Sequence, residues 1–268
     1  MQPDTLNVHI DLAALQANFF RRLQHQLDVT KILQVGCTSV TAEQVAEYIE
    51  FGTFVPANGA QLPHDQAKAE ANHWLLRGFL RDAIESTGLF LDEGMQICEL
   101  MLLVTRGDAK RIEVNNLLSV VSVKNHRLHL PQKLDKLERM FGVSTRFNPH
   151  ILSLNRARNC VVHRQATVSP MDVDENGVLK LTFQRVNFVA RGQQTGTKLL
   201  IDKPGIIVLE KSVLELHFVD SELIFSTGDR MELGARELYD TIITLWRFGI
   251  TLTQAVEAYG KSVGISFN

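Results

Sequence analysis

One change of hydrophobic period governs what this chain can fold into. From Asp11 to about Ala166 the apolar residues recur three and four apart, the spacing of amphipathic helices. Near residue 170 that pattern stops. Short β-branched and aromatic segments replace it: Val178 to Val189, Ile206 to Leu209, Val213 to Val219 and Leu223 to Phe225. Asp220-Ser221 is the expected tip of a hairpin. Helical spacing then returns through Leu238, Ile242, Leu245, Trp246, Ile250 and Ala255, with Asp229 and Glu232 spaced as a capping box before it. Helices, a small antiparallel sheet and a closing helix make an α+β chain whose main core is a helical bundle.

Local signals divide the helical region further. Asp11 precedes the stripe Leu12, Leu15, Phe19, Leu23 and Leu27, and Thr41 with Gln44 forms a capping box. Val29 to Val40, between them, reads as strand or loop. Residues 52–62 are turn-rich and mark a boundary. From Pro63 to about Arg106 the pattern is helical, with a bend or break expected at Thr87-Gly88 or Glu93-Gly94, and Met95 to Val104 is apolar nearly all round, as a central helix is. Ile112 to Val123 reads as another helix. Pro131 to Phe141 is closed by Gly142, and Asn148 as N-cap with Pro149 at the first position opens a helix to about Ala166. Trp74 and Trp246 fall on apolar faces and are expected in the core. The expected organisation is a mostly helical N-terminal extension (1–62), a helical core (63–170), a β-rich insertion (171–228) and a C-terminal helix packing back on the bundle (229–268).

A hydrophobic fraction of 45% with 22% charged residues supports a sizeable core and excludes disorder for most of the chain. The longest apolar run, which contains Met101 to Val104, is far short of the roughly 20 residues of a membrane span, so no membrane partner is expected. Cys37, Cys98 and Cys160 are odd in number and widely spaced, and the start Met1-Gln-Pro-Asp4 has no basic segment leading an apolar one. A reducing, cytoplasmic compartment is the expectation. The net charge of −2 hides an asymmetry: residues 106–164 carry twelve Lys and Arg against four acids, a local +8, and the remainder carries −10. Such a segment is either the footprint of a polyanion or a set of bases that folds against acids elsewhere.

The helix from Pro149 contains Arg158-Asn159-Cys160-Val161-Val162-His163. Histidine suits proton transfer near neutrality, and arginine suits an oxyanion of phosphorus because it stays charged and presents a fork of donors. At 100° per residue, Asn159, His163 and Arg156 share one stripe, opposite Ile151, Leu154, Val161 and Val162. Arg158 falls among the apolar residues and needs either an interface or an internal partner such as Asp82 or Glu85. Cys160 reads as a small core residue, and His126 with His129 as surface residues rather than a metal pair. Gly192 to Lys198 lacks the spacing of a phosphate-binding loop. Neither a metal nor a cofactor is called for.

Arg-Asn-x-x-x-His in a late helix, behind a basic amphipathic helix (Lys133 to Gly142) and a short loop, resembles the Arg-x4-6-His motif of the HEPN superfamily. The resemblance covers roughly residues 63–170, with the last helix completing the bundle; the first 60 residues and the sheet lie outside it. It implies a HEPN-like antiparallel helical bundle with a β insertion and a closing helix. It also implies a metal-independent endoribonuclease whose site forms where the motif helices of two protomers meet. On that implication Arg158, Asn159 and His163 are catalytic: His163 acts as acid or base, and Arg158, with Arg156 in reserve, stabilises the phosphorane. Arg156, Arg164, Lys133 and Lys136 would hold the RNA backbone. Stand-alone members of the family tend to be toxins or phage-defence effectors. RNA, a second copy, and an antitoxin or regulatory protein are therefore the expected partners. The rival reading is a non-catalytic HEPN-like module that binds RNA, nucleotide or a protein. The β region would select the substrate, sense a trigger or bind an inhibitor.

Overall fold

In the computed structural model, which describes residues 10–48, 62–106, 122–202 and 205–267, three long helices build the centre. These are α1 (Leu12–Ser39), α3 (His64–Arg106) and α6 (Ala235–Ser262). The short α2 (Ala42–Tyr48) follows α1, and α4 (Leu130–Phe141) and α5 (Asn148–Arg164) pack on α3. A three-stranded antiparallel sheet of β1 (Val178–Gly192), β2 (Lys198–Ile201) and β3 (Ser212–Ser226) has the order β2-β1-β3. The chain is α+β.

The Asp11 side chain accepts from Ala14 N at 2.8 Å and starts α1, whose buried stripe is Leu15, Phe19, Leu23, Leu27 and Thr30. Contrary to the strand-or-loop expectation, α1 continues through Val29 to Ser39. Tertiary contact overrides β-branched propensity there: Lys68 on α3 donates to the carbonyls of Thr38 and Val40, oxygens a helix end would otherwise leave unpaired. The Thr41–Gln44 capping box forms as expected. The break expected at Thr87-Gly88 or Glu93-Gly94 is absent, and α3 runs 43 residues without interruption. Packing on both sides offsets the roughly 1 kcal/mol that each interior glycine costs a helix. The expected helix at Ile112–Val123 lies almost wholly outside the described residues; 122–126 are helical.

The core is a single cluster centred on α3. Phe19 and Phe90 stack with ring centroids 4.3 Å apart, and Phe248 meets Phe90 edge-on at 6.3 Å. Such pairs contribute about 0.5–1.5 kcal/mol beyond their burial. α6 reaches this cluster because Gly249 lacks a Cβ: one placed there would lie 2.8 Å from Phe20 Cε1 and 2.9 Å from Phe19 Cδ1. α6 starts at Ala235, where the Gly234 N–H donates to Glu237 at 2.8 Å, rather than from the expected Asp229–Glu232 box; Asp229 accepts from Ser226 N instead.

β1 has two halves. Leu179, Leu181 and Phe183 point into the bundle core at period two. β2 pairs only with Phe188–Arg191, so one edge of the first half of β1 has no strand beside it. Hydroxyls cover that edge: Thr182 N donates to Ser153 of α5 and Gln184 N to Thr244 of α6. The expected tip at Asp220-Ser221 is not a turn. β3 runs straight through, with Asp220 opposite Gln184 and Ser221 opposite Phe183, because the Asp220 carboxylate finds partners in His150 and Gln184. Ile206–Leu209 forms no strand, and the β1–β2 turn is the segment from Gly192 to Lys198.

Gly249→Ala is expected to lower stability by about 1–3 kcal/mol through overpacking. Gly78→Ala, whose new Cβ meets nothing within 4 Å in α3, is expected to raise it by about 0.5–1 kcal/mol. Urea denaturation of the two variants measures both, and equal midpoints would contradict the packing described.

Candidate functional site

Helix α5 carries the motif. Its buried side is His150, Ile151, Ser153, Leu154, Ala157 and Cys160, and it ends where Gln165 (φ 52°) and Ala166 (φ 66°) turn left-handed. The observed N-cap is Phe147, one residue before the expected Asn148, whose amide binds Thr145 and Ser144 instead. Cys160 is fully buried and burial pushes its thiol up, so it is a core residue. Val162, expected on the apolar side, is 40% exposed.

Arg158 finds the internal partner its position demands. Its Nη2 donates to Glu85 on α3 and its Nη1 to Asn159 Oδ1, each at 3.2 Å. Asp82, the other partner weighed, pairs with Arg81. Asn159 thus touches Arg158 directly and shares the helix stripe of His163, which is exposed one turn on. Arg158 and Asn159 line a cleft of about 570 Å³ between α3, α4 and α5, with Asn155, Glu85, His126 and His129 on its walls. Ile84, Leu128 and Leu130 supply its apolar lining. His163 lies outside that cleft.

The four residues expected to hold RNA are not equivalent. Lys133 is 5% exposed and its ammonium donates to Asp92 at 2.7 Å and to the Gly88 carbonyl at 3.3 Å. Lys136 donates to Glu99 at 2.9 Å and to Asn125 at 2.7 Å. Arg164 clasps the buried Asp172 with two donors. Only Arg156 stands exposed with no carboxylate in ion-pair range among the described residues; Asp174 feels its charge. For Lys133, Lys136 and Arg164, folding against acids describes the basic segment better than a polyanion footprint.

The acids that meet Arg158, Lys133 and Lys136 form a ladder. Glu85, Asp92 and Glu99 stand seven residues apart on α3 and meet Arg158 on α5, then Lys133 and Lys136 on α4. A seven-residue interval returns nearly to the same helix face, so that spacing was the available signal for partners that motif reading misses.

Asp172 is a second missed residue. Burial opposes its ionisation, yet hydrogen bonds from Arg164 and from the Ser169 N–H and hydroxyl, with the Arg164 charge, hold its carboxyl below the usual range. These bonds fix the turn that carries the chain from the motif helix to the sheet.

Trp74 is 67% exposed rather than core. With Val29, Leu33, Val161, Val162 and Gln165 it lines a second groove, about 620 Å³, between α1, α3 and α5. Trp246, also expected inside, is 39% exposed beside Phe20. His126 lies 3.4 Å from Asp92, and no cluster of three His, Cys, Asp or Glu suited to a metal occurs among the described residues. No helix among them is long and apolar enough to cross a membrane.

Asp172→Asn is expected to cost about 2–3 kcal/mol at pH 7 by leaving Arg164 unpaired. A depressed folded-state value makes that contribution full above the ordinary carboxylate value of about 4 and lost as pH falls through the folded value. Urea melts of wild type and variant should therefore draw together as pH falls below about 4; a gap that does not narrow with acidification would remove the ion pair as its cause. Compared with family models, with curated proteins and with solved structures, the chain matches none.

Proposed function

We propose that the chain is a HEPN-like, metal-independent endoribonuclease acting as a homodimer in the cytoplasm, in the manner of toxins and phage-defence effectors. The carrying observation is the hydrogen bond from Arg158 to Asn159, which ties the guanidinium to the stripe that ends at the exposed His163. RNA is cleaved by its own 2′-hydroxyl. His163 takes the proton of that hydroxyl as its oxygen attacks phosphorus, and the His163 of a second copy gives a proton to the departing 5′-oxygen. Arg158 moves from Glu85 to the phosphorane, whose greater charge competes for the same donors. The products are a 2′,3′-cyclic phosphate and a 5′-hydroxyl.

The dimer has a surface suited to it. Trp74, Val29 and Leu33 beside Val162 form an exposed apolar face next to the motif helix, and covering it with a second copy brings two such helices together. Of the four cations named for RNA, Arg156 is the one without a carboxylate in ion-pair range among the described residues, and it would hold backbone phosphate.

A second reading has its own observation. The Glu85 carboxylate already satisfies Arg158, as in a module that keeps the motif for packing and binds RNA, nucleotide or protein without cutting. An antitoxin or regulatory protein is a proposed partner under either reading.

The test is cleavage of mixed cellular RNA in excess EDTA. Wild type is expected to cut and leave cyclic phosphate ends, His163→Ala to lose at least about 100-fold, and Arg158→Lys to lose activity without unfolding. Trp74→Glu should be monomeric by light scattering and inactive. Folded, dimeric wild type that leaves RNA intact would favour the non-catalytic module, and an active monomer would overturn the shared site.

A further inference from the structure

The opposite end of α5 holds a charge arrangement that the motif does not use. Arg146 and Arg247 both lie against the Phe147 ring, their guanidinium carbons 4.8 Å and 5.1 Å from its centroid. Arg247 also lies 4.1 Å over the ring of Phe218 on β3. Two guanidiniums on one aromatic ring repel each other, and no acid offsets them directly. Neither has a carboxylate within ion-pair distance among the described residues. Lys133, Lys136, Arg164 and Arg185, also partly buried, each have one.

The groups facing the pair account for what is missing. Gln184 accepts from Arg247 through its neutral carbonyl oxygen and donates through its amide to Asp220. Asp220 Oδ1 also lies 3.0 Å from His150 Nε2, so the nearby acid is already engaged. His150 is 8% exposed, and its Nδ1 is buried without a hydrogen-bond partner. Burial, then the neighbouring Arg146, lower the Arg247 pKa, while Asp220 opposes them. The first turn of α5 adds the positive end of a helix dipole beside Arg146. Arg146 is exposed and Arg247 is half-buried, so a ligand reaches the first and is held by the second.

We propose that Arg146 and Arg247 together bind a phosphate-class anion against Phe147, at the foot of the β1–β3 ribbon. Two planar forks match the oxygens of a phosphate, and an anion removes the repulsion that the folded chain otherwise carries. About 17 Å of helix separates Asn148 from Asn159, which makes this a site apart from the motif and independent of the ribonuclease reading. A phosphate of this kind comes either from a free oligophosphate or from a nucleic-acid backbone.

The test is calorimetric titration of the full chain with pyrophosphate, repeated with a ten-nucleotide 2′-O-methyl RNA that cannot be cleaved through its 2′-oxygen. Wild type is expected to bind pyrophosphate. Arg146→Ala, an exposed change, should weaken it about tenfold. Arg247→Lys should weaken it as well, since it keeps the charge and loses the fork. Arg158→Ala should leave pyrophosphate binding unchanged. Competition between the methylated RNA and pyrophosphate assigns the site to backbone phosphate; binding of pyrophosphate without competition assigns it to a small anion. No heat with wild type, equal affinity in folded Arg146→Ala, or dependence on Arg158 instead would overturn the proposal.

Discussion

The structure depends on where its charges go. Asp92 and Lys133 are both buried, and a lone charge in such a place costs several kcal/mol unless a partner of opposite sign meets it in good geometry. That requirement links the acidic face of α3 to the basic faces of α4 and α5. Glu85, Asp92 and Glu99 work as three fixed points at one-heptad intervals, and a slip of either basic helix would leave a charge stranded. Apolar packing drives the helices together, while the ladder selects one register among several that would bury similar area.

What is legible in the sequence follows from the range of the forces involved. The Asp11 cap, the Thr41–Gln44 box and the Gly142 stop are decided within four residues and can be read directly. The second half of α1 cannot, because a lysine from α3 supplies its terminal partners, and the continuity of α3 cannot, because packing outweighs the cost of its glycines. Asp220-Ser221 has turn chemistry, yet cross-strand and cross-helix partners hold it extended. In the candidate site, Arg158, Asn159 and His163 are picked out by the resemblance of Arg-Asn-x-x-x-His to the HEPN motif, while helical spacing alone sets Arg158 apart from the other two. Their surroundings are tertiary: Glu85 on α3 is the acid that meets Arg158, and Lys133 and Lys136 find their acids on α3 as well.

The β region is less of an appendage than its separate hydrophobic period suggests. Its first strand contributes Leu179, Leu181 and Phe183 to the same core as the helices, and hydroxyls of α5 and α6 complete its hydrogen bonding. The second half leaves the bundle and exposes apolar side chains such as Phe188, Leu214 and Leu216. α5 is tied to the sheet at its start through His150 and Asp220, and at its last residue Arg164 holds Asp172 in the turn that leads to β1.

α6 completes a cluster whose other members lie far upstream. The rings of Phe19 and Phe90 are made long before Phe248 and Gly249 arrive to close over them. With 195 residues between the end of α1 and the start of α6, a ribosome working at about 5–20 residues per second leaves those faces open for roughly 10–40 s. During that interval the side of the Phe19–Phe90 pair that Phe248 and Gly249 cover in the finished fold stays without them. Exposed apolar surface of this kind favours association between emerging chains, and a truncation before α6 is expected to leave the same faces of α1 and α3 open.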